Sequence, residues 1–168
     1  MIKSGTETGE PAEPYRIGTS AKILETKNLK DDRILISVRG TERFIIERIT
    51  NQKPYIEAYV SQLRDHDCDP QISNDILISV QEAALKHVRL NMGLNGEWVR
   101  SLDLSWDPAQ LSYAVASLIK SAPSVKQLLL EEKSTEARLK NELDLLMSSE
   151  NKLKTRVSNQ LNQNISKQ

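Results

Sequence analysis

Cysteine and histidine are almost missing from this 168-residue chain. A single Cys68 rules out an internal disulfide and fits a reducing compartment. One Cys and two His are too few to close a standard zinc site. Aromatic residues make up 4%, so any core is aliphatic and modest. Neither sign of charge is in excess, with 23 Lys and Arg against 23 Asp and Glu. That balance excludes the broad basic field of a nucleic-acid binder, so no nucleic-acid partner is expected. No apolar run approaches the roughly 20 residues of a membrane helix, and the first residues do not read as a signal peptide. The expectation is a soluble cytoplasmic protein without a membrane partner. The Gly-x-x-x-x-Gly-Lys-Ser/Thr loop that cradles phosphates is absent, as is a Gly-x-Ser-x-Gly nucleophile elbow. The sequence therefore offers no catalytic residue, no cofactor and no metal ligand set.

What is present suffices to fold. Hydrophobic content is 38% and charged content 27%. The chain changes character twice: residues 1–64 read as β, residues 65–133 as a bundle of short helices, and residues 134–168 as one long helix. In the β part, Gly5, Gly9, Pro11 and Pro14 mark a loop. Tyr15–Thr26 reads as a first strand, with Ile17, Ala21 and Ile23 on one face. Arg33–Val38 alternates Ile34, Ile36 and Val38 inward against Arg33, Leu35 and Ser37. Gly40 is expected to turn the chain at positive φ. Arg43–Ile49 and Tyr55–Leu63 follow as strands, with Pro54 between them, and the short spacings predict an antiparallel meander.

The helical part has clearer punctuation. Ser73 is a candidate N-cap before Leu77, Val80, Ala84, Val88 and Met92 at helical spacing, and Gly93 and Gly96 end that helix. Asp107-Pro108 starts a second helix, with Leu111, Ala114, Val115, Leu118 and Ile119 as its buried stripe. Pro123 starts a third and Ser134 caps a fourth. From there Leu139, Leu143, Leu146, Leu153, Val157 and Leu161 approximate a coiled-coil-like heptad seam broken at Glu150. The polar last turns are expected to fray.

Several stretches, in order, carry a family likeness. They are Gly9-Glu10-Pro11-Ala12-Glu13-Pro14-Tyr15, then Gly18-Thr19-x-Ala21-x-Ile23, then Gly40-x-x-Arg43-Phe44. Pro54-Tyr55-Ile56-Glu57-Ala58-x-Val60 follows, then Asp107-Pro108-x-x-Leu111 and Gln127-x-Leu129-Leu130-Glu131. Arg138-Leu139-x-x-Glu142-Leu143-x-Leu145-Leu146 completes the set. In order and spacing the chain resembles the N-terminal, substrate-binding domain of the Lon proteases over about residues 1–147. The resemblance implies an α+β fold: a partial PUA-like antiparallel β pseudo-barrel, then an α-helical bundle with a long C-terminal helix. It also implies a non-catalytic role in binding polypeptide substrates in protein quality control. In the family this domain precedes an ATPase module and a Ser/Lys peptidase, and the motifs of neither occur here. Family members also open with an apolar Leu-Pro-Leu-Phe-Pro-type strand and a Glu-Pro-Arg-Tyr helix. Here Met1-Ile2-Lys3 is a stub of the strand that follows them. Exposed strand edges and one uncovered apolar face are therefore expected. Either the start is misplaced or truncated, or another chain supplies the missing strands.

Individual residues give weaker signals. Tyr15, Tyr55 and Tyr59 are candidates for a polypeptide-contact face, since tyrosine joins apolar area to a polar tip. Phe44 reads as core, and Arg43 as half of a structural ion pair rather than an anion site with Arg39 and Arg48. Trp98 and Trp106 read as anchors of a loop. Ser79 and Lys86 mimic a Ser/Lys pair but read as ordinary helix-surface residues, and His66-Asp67-Cys68-Asp69 as a polar linker. The expected partners are unfolded or tagged polypeptides and a protease or ATPase. A homodimer through Leu143, Leu146, Leu153 and Val157 of the C-terminal helix is a further option. The alternatives kept open are a fragment of an ATP-dependent Lon protease and a dimerising scaffold.

Overall fold

The computed structural model describes residues 1–6, 12–30, 33–65 and 72–165, with side chains through 159. They divide into two units, Met1–Arg64 and Asp65–Gln168. The first is all β and the second all helix, which makes the chain α+β.

In the first unit, β1 (Ile2–Ser4) and β2 (Glu13–Pro14) pair as a short antiparallel ribbon. Lys3 and Ser4 both reach the Glu13 carboxylate, at 2.7 and 2.9 Å. A separate antiparallel sheet has the order β3 (Ile17–Asn28), β4 (Ile34–Asn51), β5 (Glu57–Gln62). One expectation is corrected here. Arg33–Val38 and Arg43–Ile49 are not two strands around a turn at Gly40 but parts of one 18-residue strand. The positive-φ glycines among the described residues are Gly5 and Gly96. A β-bulge takes the place of the turn: Thr19 pairs with Arg43 and Ala21 with Gly40, so Thr41 and Glu42 both stand opposite Ser20. Ser20 Oγ lies 2.7 Å from Thr41 Oγ1 and accepts the Glu42 N–H at 3.2 Å. That hydroxyl satisfies groups that the irregular ladder leaves over. Beside the bulge, Gly18 pairs with Phe44, and a Cβ on Gly18 would come within 2.6 Å of the Phe44 ring. Phe44 is half-buried, less enclosed than a core residue.

The second unit holds α1 (Asn74–Gly93), α2 (Pro108–Leu118), α3 (Pro123–Glu131) and α4 (Thr135–Ile165). The start signals act through specific atoms. Asp107 Oδ1 accepts the Gln110 N–H at 2.8 Å, with Pro108 in the first turn. Ser134 Oγ accepts the Ala137 N–H at 3.2 Å. Ser73 occupies the N-cap of α1 without a side-chain cap bond. Leu77, Val80 and Ala84 of α1 meet Leu111 and Val115 of α2, Ile119, and Leu139 and Leu146 of α4. Leu153 is buried as well, while Leu143 and Val157 are half-buried. Leu161 lies outside the described side chains. Glu150 interrupts the seam because it pairs with Lys86 and Lys154, at 2.8 and 2.5 Å. Leu146 and Leu153, offered above for pairing with another helix, are thus covered by their own bundle. Among the described residues no helix is long and apolar enough to cross a membrane.

Candidate polypeptide-contact surface

The register of β3 and β4 sorts their side chains onto two faces. Ile23 pairs with Val38, Thr26 with Ile36 and Asn28 with Ile34, so Ile23, Ile34, Ile36 and Val38 share one face. Lys22 pairs with Arg39, Glu25 with Ser37 and Lys27 with Leu35, which makes the opposite face largely charged. Among the described residues of the β unit none covers the apolar face: Ile23 is 59% exposed, Ile34 61%, Ile36 52% and Val38 50%. The alternation expected of Ile34, Ile36 and Val38 is present, but their inward placement is corrected. A strand pattern states which side chains share a face; a second layer must arrive to bury them. Among the described residues of the first unit the buried ones are Arg43 and Leu63. Covering half of a β-branched side chain is worth on the order of 1 kcal/mol, so this stripe holds binding energy in reserve.

The edges matter equally. β3 and β5 are the outer strands of the sheet, and β3 from Thr19 to Asn28 has no second strand partner among the described residues. Of the three candidate tyrosines, Tyr59 lies in β5 and Tyr55 just before it, 64% and 65% exposed. The Arg48 guanidinium sits over the Tyr59 ring, 5.2 Å from its centroid. Tyr15 is half-buried at the foot of β3, and its N–H donates to the Met1 carbonyl at 3.0 Å. The structure puts Tyr59 in β5 with Tyr55 just before that strand, and Tyr15 just before β3, on the other side of β4.

The remaining candidates scatter. Arg39 is exposed on the charged face, Arg43 is buried and Arg48 is taken up by Tyr59, so the three form no anion site. Trp98 and Trp106 are 69% and 61% exposed, which corrects their role as anchors. The loop is instead held by Arg89, whose Nε donates to the Val99 carbonyl at 3.0 Å and whose Nη2 donates to that of Arg100. Trp98 lies outside, against the Arg89 guanidinium. Ser79 Oγ donates to the Asp75 carbonyl and Lys86 pairs with Glu150, so neither serves the other. His66-Asp67-Cys68-Asp69 lies outside the described residues, among which no group of three metal-capable side chains occurs.

One cluster escaped the reading of residues. Arg138, Ser112 and Glu142 are all buried in the helical unit. Arg138 Nε donates to Ser112 Oγ at 2.7 Å, and Ser112 Oγ donates to Glu142 Oε1 at 2.7 Å. Arg138 Nη1 reaches Asp65 at 3.1 Å and the Glu132 carbonyl at 2.9 Å, and its guanidinium lies over Tyr113. Burial raises the Glu142 carboxyl to about 7, against the opposing pull of Ser112 and Arg138. Arg138 and Ser112 are committed to protein acceptors and tie α2, α4 and Asp65 together, while Glu142 Oε2 is buried without a hydrogen-bond partner among the described residues. The signal in the sequence was two polar residues, Arg138 and Glu142, flanking an apolar stripe on one helix.

Comparison with known proteins places these features. Residues 3–148 match the model of the ATP-dependent protease La (LON) substrate-binding domain. The Lon protease of Amoebophilus asiaticus (strain 5a2) is 32% identical over 131 residues, covering 77% of this chain and 16% of the relative. That of Rhizobium meliloti (strain 1021) is 28% identical over 167 residues, covering 96% of this chain and 21% of the relative. The chain thus spans about a fifth or less of these relatives' length. Among solved structures, the Lon N-terminal domain protein from Xanthomonas campestris superposes with a TM-score of 0.54 at 21% identity, over 78% of this chain and 68% of that one. The N-terminal domain of the Mycobacterium avium complex Lon protease also gives 0.54, at 19% identity, over 83% and 74%. Both likenesses concern the fold.

Proposed function

This chain belongs to the LON substrate-binding domain family, and we propose that it is a non-catalytic module that holds polypeptides in extended form for protein quality control. The observation behind this reading is the open apolar stripe of Ile23, Ile34, Ile36 and Val38 beside the unpaired edge of β3. An extended segment can add to that edge through main-chain hydrogen bonds and lay alternate apolar side chains over the stripe. Such contacts ask for exposed backbone and apolar residues, which unfolded chains offer and folded ones hide. Tyr55 and Tyr59 lie at the opposite edge of the sheet, by β5, as a second contact for a longer polypeptide, and Tyr15 is the third candidate, at the foot of β3. The compartment proposed is the cytoplasm.

A second reading has the same module serving an ATPase and a Ser/Lys peptidase, as part of an ATP-dependent protease. The relatives' names and the small share of their length matched here favour it. Both readings give these residues one task and differ in whether this chain does it alone. The mass of the endogenous polypeptide on an immunoblot separates them.

The contact itself is tested with a fluorescent, carboxymethylated polypeptide that stays unfolded, titrated by anisotropy. Saturable binding is expected. Ile36→Lys with Val38→Lys should weaken it at least about tenfold, or roughly 1.4 kcal/mol. Both side chains are half exposed, so the double variant should keep its circular dichroism spectrum. Unchanged affinity in the folded double variant would remove this face from the proposal.

A further inference from the structure

The free edge of β3 has two faces beside it, and the proposed function uses one of them. The apolar face offers Ile23, Ile34, Ile36 and Val38. The opposite face is built from three cross-strand rungs: Lys22 with Arg39, Glu25 with Ser37, and Lys27 with Leu35. All six side chains are exposed. Three cations against one acid leave these rungs positive, in a chain whose net charge is zero.

The rung of Lys22 and Arg39 is the informative one. Directly opposed side chains of an antiparallel pair start about 5 Å apart, and like charges in that position destabilise the pair. An acid close to either cation would relieve the repulsion. β3 and β4 hold Glu25, Glu42 and Glu47, and none of them forms an ion pair with Lys22, Lys27 or Arg39. Glu47 instead accepts from Ser61 Oγ at 2.5 Å. The repulsion is left in place next to a strand edge that has no partner among the described residues.

A strand added at this edge brings both of its own faces. Its side chains alternate, so every second one lies beside Ile23 and the apolar stripe, and those between lie beside Lys22, Glu25 and Lys27. Direct neighbours across strands stand about 5 Å apart and diagonal ones about 7–8 Å, within reach of long side chains. A carboxylate beside Lys22 gives the crowded rung the anion it lacks. A second one beside Lys27 gives that ammonium an ion-pair partner. A cation at either place adds one more like charge, and an acid beside Glu25 repels it.

We propose that the segments preferred at this edge are amphipathic strands, apolar at every second residue, acidic beside Lys22 and Lys27, and neutral beside Glu25. The inference rests on the polypeptide-contact reading and adds a rule of sequence to it. Main-chain bonds to β3 and the apolar stripe supply affinity without regard to charge, and the charged face supplies discrimination. A segment that alternates apolar residues with lysine fits the same edge and stripe. It meets Lys22, Arg39 and Lys27 with their own sign, which is how a surface rejects a partner of the right shape.

The test titrates three dye-labelled peptides against the full chain by anisotropy at low salt, with the carboxymethylated polypeptide as reference. The first peptide alternates valine with glutamate, with one threonine in place of the central glutamate. The second has lysine for each glutamate, and the third has the composition of the first with valines and glutamates in separate blocks. The first should bind at least about fivefold tighter than either of the others, and its lead over the second should narrow at about 0.5 M salt. Lys22→Glu with Lys27→Glu should reverse the order of the first two, with hydrogen exchange of the β3 and β4 amides showing that the sheet is kept. Equal affinity for the first two peptides, or an order that survives the charge reversal, would overturn the acidic preference. Equal affinity for the first and third would overturn the alternation. Failure of the first peptide to bind up to about 1 mM, with the reference still bound, would overturn this inference alone. Failure of the reference as well would overturn the polypeptide-contact reading with it.

Discussion

Arg138 and Glu142 stand one helical turn apart on α4 and form no ion pair; the Ser112 hydroxyl lies between them, 2.7 Å from Arg138 Nε and 2.7 Å from Glu142 Oε1. The guanidinium donates to the hydroxyl and the hydroxyl donates to the carboxyl. One small side chain from α2 thereby joins two charge-bearing residues of α4 that burial would otherwise penalise.

Ser112→Ala removes that link and strands Arg138 Nε and Glu142 Oε1 in the core. The helical unit should lose about 2–4 kcal/mol, read from urea unfolding at 222 nm. A loss under about 0.5 kcal/mol would mean that water or a shifted side chain takes over the bridge.

Glu142 should make stability depend on pH in an unusual direction. Its ordinary value is 4.5, and burial raises it to about 7 in the folded chain. The folded state therefore holds the proton more tightly than the unfolded state. Its contribution is complete below 4.5, declines as pH rises from 4.5 to about 7, and changes no further above that. The loss across the window is roughly 3 kcal/mol at 1.36 kcal/mol per pKa unit. Glu142→Gln should flatten that slope and be the more stable chain at about pH 8. Parallel slopes for the two proteins would show that the carboxyl does not titrate there.

Gly18→Ala drives a methyl group into the Phe44 ring, at 2.6 Å before any adjustment. Loss of about 1–3 kcal/mol is expected in the β unit. Hydrogen exchange of β3 and β4 amides is the suitable measure, because helical signals dominate circular dichroism. Phe44→Leu should recover part of the loss in the double variant, as two residues in direct contact couple. Additive losses would separate Gly18 from Phe44.

Two N-caps that look alike should behave differently. Asp107→Ala removes an acceptor bonded to the Gln110 N–H and should cost about 1 kcal/mol. Ser73 makes no side-chain cap bond, so Ser73→Ala should stay within about 0.5 kcal/mol. Thermal unfolding of the pair checks both, and equal losses would contradict the cap geometry.

Much of the helical unit was legible because its signals are local. Asp107-Pro108, Pro123 and Ser134 start helices by fixing the backbone or capping N–H groups within a few residues of themselves. The apolar spacing of Leu77, Val80 and Ala84, of Leu111 and Val115, and of Leu139 and Leu146 named the core correctly. Gly40 was misread because a strand bulge and a turn attract the same residue. What decides between them is the opposing strand, where Ser20 supplies the bonds that an irregular ladder needs. Trp98 and Trp106 were misread because size and hydrophobicity do not say which residue holds a loop. Arg89 holds it through two backbone carbonyls and leaves the rings outside.

The sequence by itself determined the α+β order, the helix starts, the apolar stripes and the family to which the chain belongs. Each follows from propensity, periodicity or a run of residues read along the chain. Tertiary structure alone decided which stripes are covered. Ile34, Ile36 and Val38 alternate as a core strand does, yet lie open, because burial depends on a second layer and not on the strand's own pattern. It also decided that Arg138 and Glu142 meet through Ser112. Ser112 is 26 positions from Arg138 and 30 from Glu142, and no local rule joins it to them until the helices pack.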